Sequence, residues 1–240
     1  MNNNFPKASK YDPEWMKENM MGPNSVFLLE RLTDRMNLKP GMRVLDLGCG
    51  MGITSVFLAK EYGVQVWATD LWISATENHK RFIEAGVSDL VYPIHAEAHE
   101  LPYADGFFNA IVSIDAYHYF GTEKKYLDAH CSKLLKPYGQ VGIVVPGLSG
   151  ELEKDEIPPG LEKYWEDDFN TFHSSEWWKK LWDDSSMIEV EYHENMSDGK
   201  KIWYESIWRH GEHGSDFDRE FLKADRTDAI TLVMMIGKKI

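Results

Sequence analysis

Two carboxylates and three glycines are spaced so that they could hold a ligand. Val44-Leu45-Asp46-Leu47-Gly48-Cys49-Gly50-Met51-Gly52 reads as a buried strand that ends in a carboxylate and turns through residues without a Cβ, letting a ligand approach the backbone and a helix start at once. Asp70 closes a second apolar run, Gln65-Val66-Trp67-Ala68-Thr69, about 18 residues past Gly52. A carboxylate at that distance, at the end of the neighbouring strand, is placed to accept both hydroxyls of a ribose. The loop reads G-x-G-x-G rather than the G-x-G-x-x-G that aims a helix N-terminus at a pyrophosphate. Asp46, just ahead of the first glycine, repels phosphate and suits a cation, which places a nicotinamide dehydrogenase last among the candidates.

The elements around this loop follow from periodicity and capping. Asp12, Pro13 and Glu14 start a short helix that ends by Gly22-Pro23, with Asp12 as N-cap and Pro13 at the first helical position. Its Trp15, Met16, Met20 and Met21 suit a lid over a ligand, preceded by Tyr11 as a candidate substrate contact; residues 1 to about 10 read as loosely attached. Val26, Leu29, Leu32 and Met36 make one buried helix face. The strand Val91–His95 contains Pro93, which cannot donate to a ladder, so it belongs at a sheet edge. A strand Phe108–Ile114 exits at Asp115-Ala116-Tyr117-His118, a helix covers about Glu123 to Leu135, and a strand runs from Gln140 to Val145. Ser174 caps a helix bearing Trp178, Leu181 and Trp182. Asp198-Gly199 opens another through Trp208, in which Trp203 and Tyr204 are candidate pocket residues. Ala229 to Gly237 is a nearly continuous apolar strand.

The loop at residues 46–52 resembles motif I of the class I S-adenosylmethionine (SAM)-dependent methyltransferases, whose cofactor carries an ammonium and a sulfonium and no phosphate. Three further stretches resemble the same family in the same order. Ala96-Glu97-Ala98-His99-Glu100-Leu101-Pro102-Tyr103 is similar to its G-D-A-x-x-L-P-F, Asp115 and His118 reproduce the spacing of a polar residue and a His after strand 4, and Leu135-Lys136-Pro137-Tyr138-Gly139 is similar to L-K-P-G-G. The resemblance covers residues 42 to 147; beyond, a W-x-x-Y/E-x-x-x-W arrangement is similar to that of methyltransferases related to cyclopropane-fatty-acid synthases. It implies an α/β fold with a seven-stranded, mostly parallel Rossmann-like sheet of order 3-2-1-4-5-7-6, strand 7 antiparallel, under a helical N-terminal lid. The corresponding division is 1–40 lid, 41–147 SAM-binding core, and 148–240 substrate-side helices and C-terminal strands completing the same domain.

The resemblance also implies site residues. Asp46, Gly48, Cys49, Gly50 and Gly52 would bind the cofactor, as would His99 and Asp115; Asp70 would hold the ribose, Leu71, Trp72 or both the adenine face, and Glu97 and Ala98 the adenine edge, with the stretch from Asp115 to Phe120 facing the methyl. Methyl transfer from a sulfonium is an in-line displacement that chiefly needs collinear placement and exclusion of water. Where the acceptor is protonated a base is required, and His118 leads, followed by Tyr117, His99 and Glu205. Other readings are a non-catalytic SAM-binding module and aminopropyl transfer.

The formal net charge of −13 over 240 residues disfavours a nucleic-acid substrate, since phosphate contacts need clustered Lys and Arg. It suits a small uncharged or cationic acceptor, with S-adenosylhomocysteine (SAH) as the other product. Two cysteines, Cys49 and Cys131, support no disulfide scaffold. No signal-like or membrane-spanning run occurs, so a soluble cytoplasmic protein is expected. His210-Gly211-Glu212-His213 could chelate a metal, but it reads as a polar loop and no metal is expected. Six of the nine tryptophans lie after residue 160 and suit either a pocket wall or core packing. The acidic connector 148–173 is expected over the site mouth.

Overall fold

The structure, a computed structural model, describes residues 5–153, 156–209 and 214–240. Seven strands, β1 (Arg43–Leu47), β2 (Gln65–Asp70), β3 (Val91–His95), β4 (Phe108–Ile114), β5 (Leu135–Leu148), β6 (Ile188–Asn195) and β7 (Ile230–Lys239), form one sheet of order β3-β2-β1-β4-β5-β7-β6. Strand β7 runs antiparallel to β5 and β6, and the other neighbours are parallel. This is the class I methyltransferase order. Pro93 pairs with Ala68 of β2 on one side only, so the missing amide falls on the open edge where it costs no ladder bond.

Each face of the sheet carries its own apolar layer. One joins Val26, Leu29 and Leu32 of α2 (Ser25–Thr33) and Val56 and Phe57 of α3 (Ile53–Tyr62) to β1, β2 and β7. The other gathers Tyr117, Tyr126, Trp178 and Trp182 over β4 and β5. Helix α4 (Ala75–Glu84) lies beside β3, while α1 (Pro13–Asn19), α5 (Ser175–Asp183), α6 (Gly199–Glu205) and α7 (Gly214–Ala224) complete the chain. The two cap readings hold, Asp12 accepting from the backbone of Glu14 and Trp15 and Ser174 from that of Trp177, and the structure adds Asn24 accepting from Phe27 and Ser74 from Glu77. No helix among the described residues is long and apolar enough to cross a membrane.

Four expectations are corrected. The segment from Phe5 to Lys10 is docked, not loose: Phe5 stacks on Phe27 at 4.4 Å, and buried Glu30 accepts from the backbone N–H of Lys7 and Ala8 at 2.9 and 2.7 Å. The expected helix over 123–135 is instead one π-turn, Leu127–Cys131, followed by a 3-10 turn, Ser132–Leu134. There the Ser132 hydroxyl takes the Leu127 carbonyl and Tyr126 is tied to the Ala98 carbonyl, both at 2.9 Å. Helix α6 stops at Glu205, because the Ser206 hydroxyl donates back to Ile202 and accepts from the Asn24 backbone at 2.7 Å. The connection from β6 to β7 holds two helices, α6 and α7, where one is expected.

Candidate functional site

A cavity of about 340 Å³ lies beyond the carboxyl ends of β1, β2 and β4, where open α/β sheets place ligands. Its floor is the glycine loop. Gly48, Gly50 and Gly52 all have left-handed φ, +76°, +52° and +80°, a region L side chains rarely enter. Steric demand adds to this: a Cβ on Gly48 would fall 2.3 Å from that of Ala116, and one on Gly52 would fall 2.4 Å from the Phe82 ring.

Asp46 lies beneath the loop rather than in the cavity wall. Its Oδ2 accepts from the Thr54 and Ser55 hydroxyls at 2.7 and 2.6 Å, while Oδ1 has no partner among the described residues. Burial, outweighing the two hydroxyls, pushes its carboxyl up to about 6. Asp70 does face the cavity. Its Oδ2 accepts from Gly50 N at 2.8 Å, and its Oδ1 accepts from Trp72 N and Ile73 N at 2.8 and 2.9 Å. With two acceptor positions per oxygen, the remaining capacity is on Oδ2.

Leu71, Trp72, Glu97, Ala98 and His99 line the same cavity, as do Gly48, Cys49, Gly50 and Asp115. Glu97 accepts from His99 twice, from the backbone at 2.9 Å and the ring at 2.8 Å. The second ring nitrogen faces Glu123 at 3.2 Å. The bond to Glu97 raises the His99 imidazolium and lowers the Glu97 carboxyl. Cys49 is buried, and burial pushes its thiol well up, which makes it unreactive.

Asp115 is a non-glycine residue at φ +58° where β4 ends. Among the described residues no side chain donates to its carboxylate, and burial followed by the charge of Asp218 raises it. It lies against the lid, since a Cβ on Gly22 would stand 2.1 Å from Asp115 Oδ2. The lid contributes Asn19, Met21, Gly22 and Pro23 to the wall. Met21 is among the expected lid residues, whereas Asn19, Gly22 and Pro23 are not singled out by the sequence as site residues, nor are Tyr119 and Phe120 individually; the Gly22-Pro23 turn and the aromatic pair just past His118 are the signals that mark them.

The candidate base and acceptor residues are placed elsewhere. The Tyr117 ring is fully buried on the far face against Tyr126, Trp178 and Trp182. His118 is 2 % exposed, packs on Tyr119 and Phe172, and is pushed down to about 3 by burial. Tyr11 packs on Trp15 and Phe57, outside the cavity wall. Trp203 is buried with its indole N–H on Asp218, and Tyr204 is partly exposed beside Lys223. Glu205, at the end of α6, pairs with Lys201. Trp177, Trp178, Trp182, Trp203 and Trp208 are packing residues and none lines the cavity, nor does any described residue of 148–173. His210, Gly211, Glu212 and His213 lie outside the described residues, and among those described no cluster of metal-ligating side chains occurs.

Residues 44–139 match the family model described as "Methyltransferase domain". A glycine/sarcosine/dimethylglycine N-methyltransferase of Actinopolyspora halophila is 27% identical over 136 residues, 56% of this chain but 24% of the relative. The chain thus spans about a quarter of that protein's length. Among solved structures, a candidate sarcosine dimethylglycine methyltransferase from Galdieria sulphuraria superposes with TM-score 0.75 at 19% identity, over 97% of this chain and 98% of the other. Phosphoethanolamine N-methyltransferase 2 of Haemonchus contortus, in complex with SAM, gives TM-score 0.73 at 19% identity, over 99% and 58%. The strand order and these likenesses show that the chain has the class I SAM-dependent methyltransferase fold, with residues 44–139 similar to a methyltransferase domain.

Proposed function

We propose that the chain moves the sulfonium methyl of SAM to a small-molecule acceptor by in-line displacement. The observation that carries the reading is the chemistry of the cavity wall: glycine backbone beside three carboxylates, Asp70, Glu97 and Asp115, with no Lys or Arg lining it among the described residues. Such a wall fits a nucleoside bearing positive charge and opposes a pyrophosphate. Asp70 would hold the ribose, the stretch Glu97–His99 the adenine, and the glycine loop above Asp46 the aminoacyl arm. When bound, the cofactor supplies an activated methyl. The chain's own share is to align the acceptor and exclude water, with Met21, Gly22 and Pro23 of the lid over the loop and Asp115, Tyr119 and Phe120 at the exit of β4.

The acceptor end favours an uncharged or cationic amine. Asp115, in the cavity wall beside Tyr119 and Phe120, puts a carboxyl group at this end. An acceptor nitrogen loses its proton before it attacks; His118, buried and outside the cavity wall, is not placed to receive it, whereas Asp115 lies in that wall at the exit of β4.

Isothermal titration with SAM, SAH and NAD tests the cofactor. Micromolar binding of the first two, none of NAD, and loss of both in Asp70→Ala are expected. A panel of amines with and without carboxylate or phosphate groups then tests the acceptor. Preference for anionic members would sink the acceptor assignment while leaving the cofactor assignment standing.

A further inference from the structure

Helix α4 has two buried side chains, Asn78 and Phe82, and both are spent on the glycine loop. Phe82 fills the space beside Gly52 that a Cβ would need. Asn78, 1 % exposed, donates from Nδ2 to the Gly50 carbonyl at 2.9 Å and lies 3.7 Å from Cys49 Sγ. Its Oδ1 accepts from Arg81 Nη1, one turn on, at 3.1 Å, which fixes the orientation of the amide. Asn is a mediocre helix former, so this position is not occupied for the sake of the helix.

Gly50 is consequently gripped on both sides of its residue, the N–H by Asp70 at 2.8 Å and the C=O by Asn78. The grip from Asp70 comes from the strand that ends under the ribose position. The grip from Asn78 comes from outside the cavity, since Asn78 is not in its wall. We infer that Asn78, pinned by Arg81, is a positioning residue that sets the course of the glycine loop and hence the affinity for the aminoacyl arm of the cofactor. This rests on the SAM reading above, in which Asp70 and Glu97 take the nucleoside and the loop takes the arm.

The two parts of the ligand separate a positioning role from general structural support. SAH carries the arm, whereas 5′-methylthioadenosine has the same nucleoside and thioether without it. Asn78→Asp keeps the partner of Arg81 but sets a carboxylate oxygen against the Gly50 carbonyl. Titration calorimetry should show SAH weakened roughly ten-fold, the scale of one lost internal hydrogen bond, and 5′-methylthioadenosine weakened by at most about two-fold. Arg81→Met, on the half-buried face of the helix, frees the amide without touching the loop and should weaken SAH by about three-fold; it decides the question should Asn78→Asp fail to fold.

Wild-type affinity for SAH in both variants, or equal losses for the two ligands, would overturn the inference. A wild-type protein that binds neither nucleoside would overturn the cofactor reading itself, and the inference with it; that outcome is visible before any variant is made.

Discussion

Asp46 is fully enclosed with one carboxylate oxygen bonded twice and the other not at all. Its folded carboxyl, near 6, lies above the ordinary 3.8, so the folded chain binds this proton more tightly than the unfolded one. The stabilisation is therefore complete below about pH 3.8 and is lost as pH rises through 6. The span corresponds to about 3 kcal/mol. Asp46→Asn, which retains an acceptor for Thr54 and Ser55, should lose that pH dependence. Chemical denaturation of the ligand-free protein should find the variant gaining on wild type between pH 4 and 6, by up to about 3 kcal/mol. Parallel curves would mean that Asp46 does not titrate there. Residue type and spacing disclosed Asp46 and Asp70 as carboxylates around a loop; that Asp70 enters the cavity and Asp46 lies under its floor depends on which way each side chain leaves its strand.

At the scale of elements, the loop between β1 and α3 is shaped by contacts from both sides. Phe82 of α4 presses on Gly52, Ala116 after β4 presses on Gly48, and Met21 of the lid covers Gly50. Gly52→Ala would combine a positive φ with a collision, and a loss of roughly 2–3 kcal/mol in unfolding free energy is expected, together with loss of SAH binding. The lid has a separate tether: Arg209 bonds Glu18 and Glu14 at 2.5 and 2.9 Å, and its backbone N–H donates to Lys17 O. These ion pairs are exposed, and such pairs contribute little to global stability. Arg209→Ala should thus leave the melting temperature within about 2 °C and yet accelerate tryptic cleavage at Lys10 and Lys17 in the absence of ligand; unchanged cleavage would show that the apolar underside of α1 holds the lid unaided. The short lid helix was readable from its caps, and α2 from its apolar face. The π-turn at 127–131 was not, because apolar spacing there suits an ordinary helix and only the ties at Tyr126 and Ser132 select the wider turn.

For the whole molecule, the division of aromatic residues between two faces matters most. Trp178 and Trp182 are fully buried beside Tyr117 on the face away from the lid, so they act on stability and not on the cavity. Trp182→Ala should cost about 3–5 kcal/mol. Tyr117→Phe should leave SAH affinity within two-fold, and a loss of methyl transfer in that variant would return Tyr117 to the catalytic candidates.

The amino-acid sequence by itself determined the glycine loop, the acidic residue ending β2, the edge position of β3 through Pro93, and the alternation that builds a mostly parallel sheet. Each of these is local: a missing Cβ, a missing N–H, or an apolar run bounded by turn residues acts within a few positions of itself. The tertiary structure decided which side chains meet. Tyr117 and His118 follow Asp115 directly, but at the left-handed bend of Asp115 the chain turns, and only Asp115, Ala116, Tyr119 and Phe120 of this stretch reach the cavity. Asn78 reaches Gly50 across 28 positions, Gly22 reaches Asp115, and Ser206 reaches Asn24 across 182. Such pairings are set by how helices and strands pack, and no local pattern in the chain encodes them.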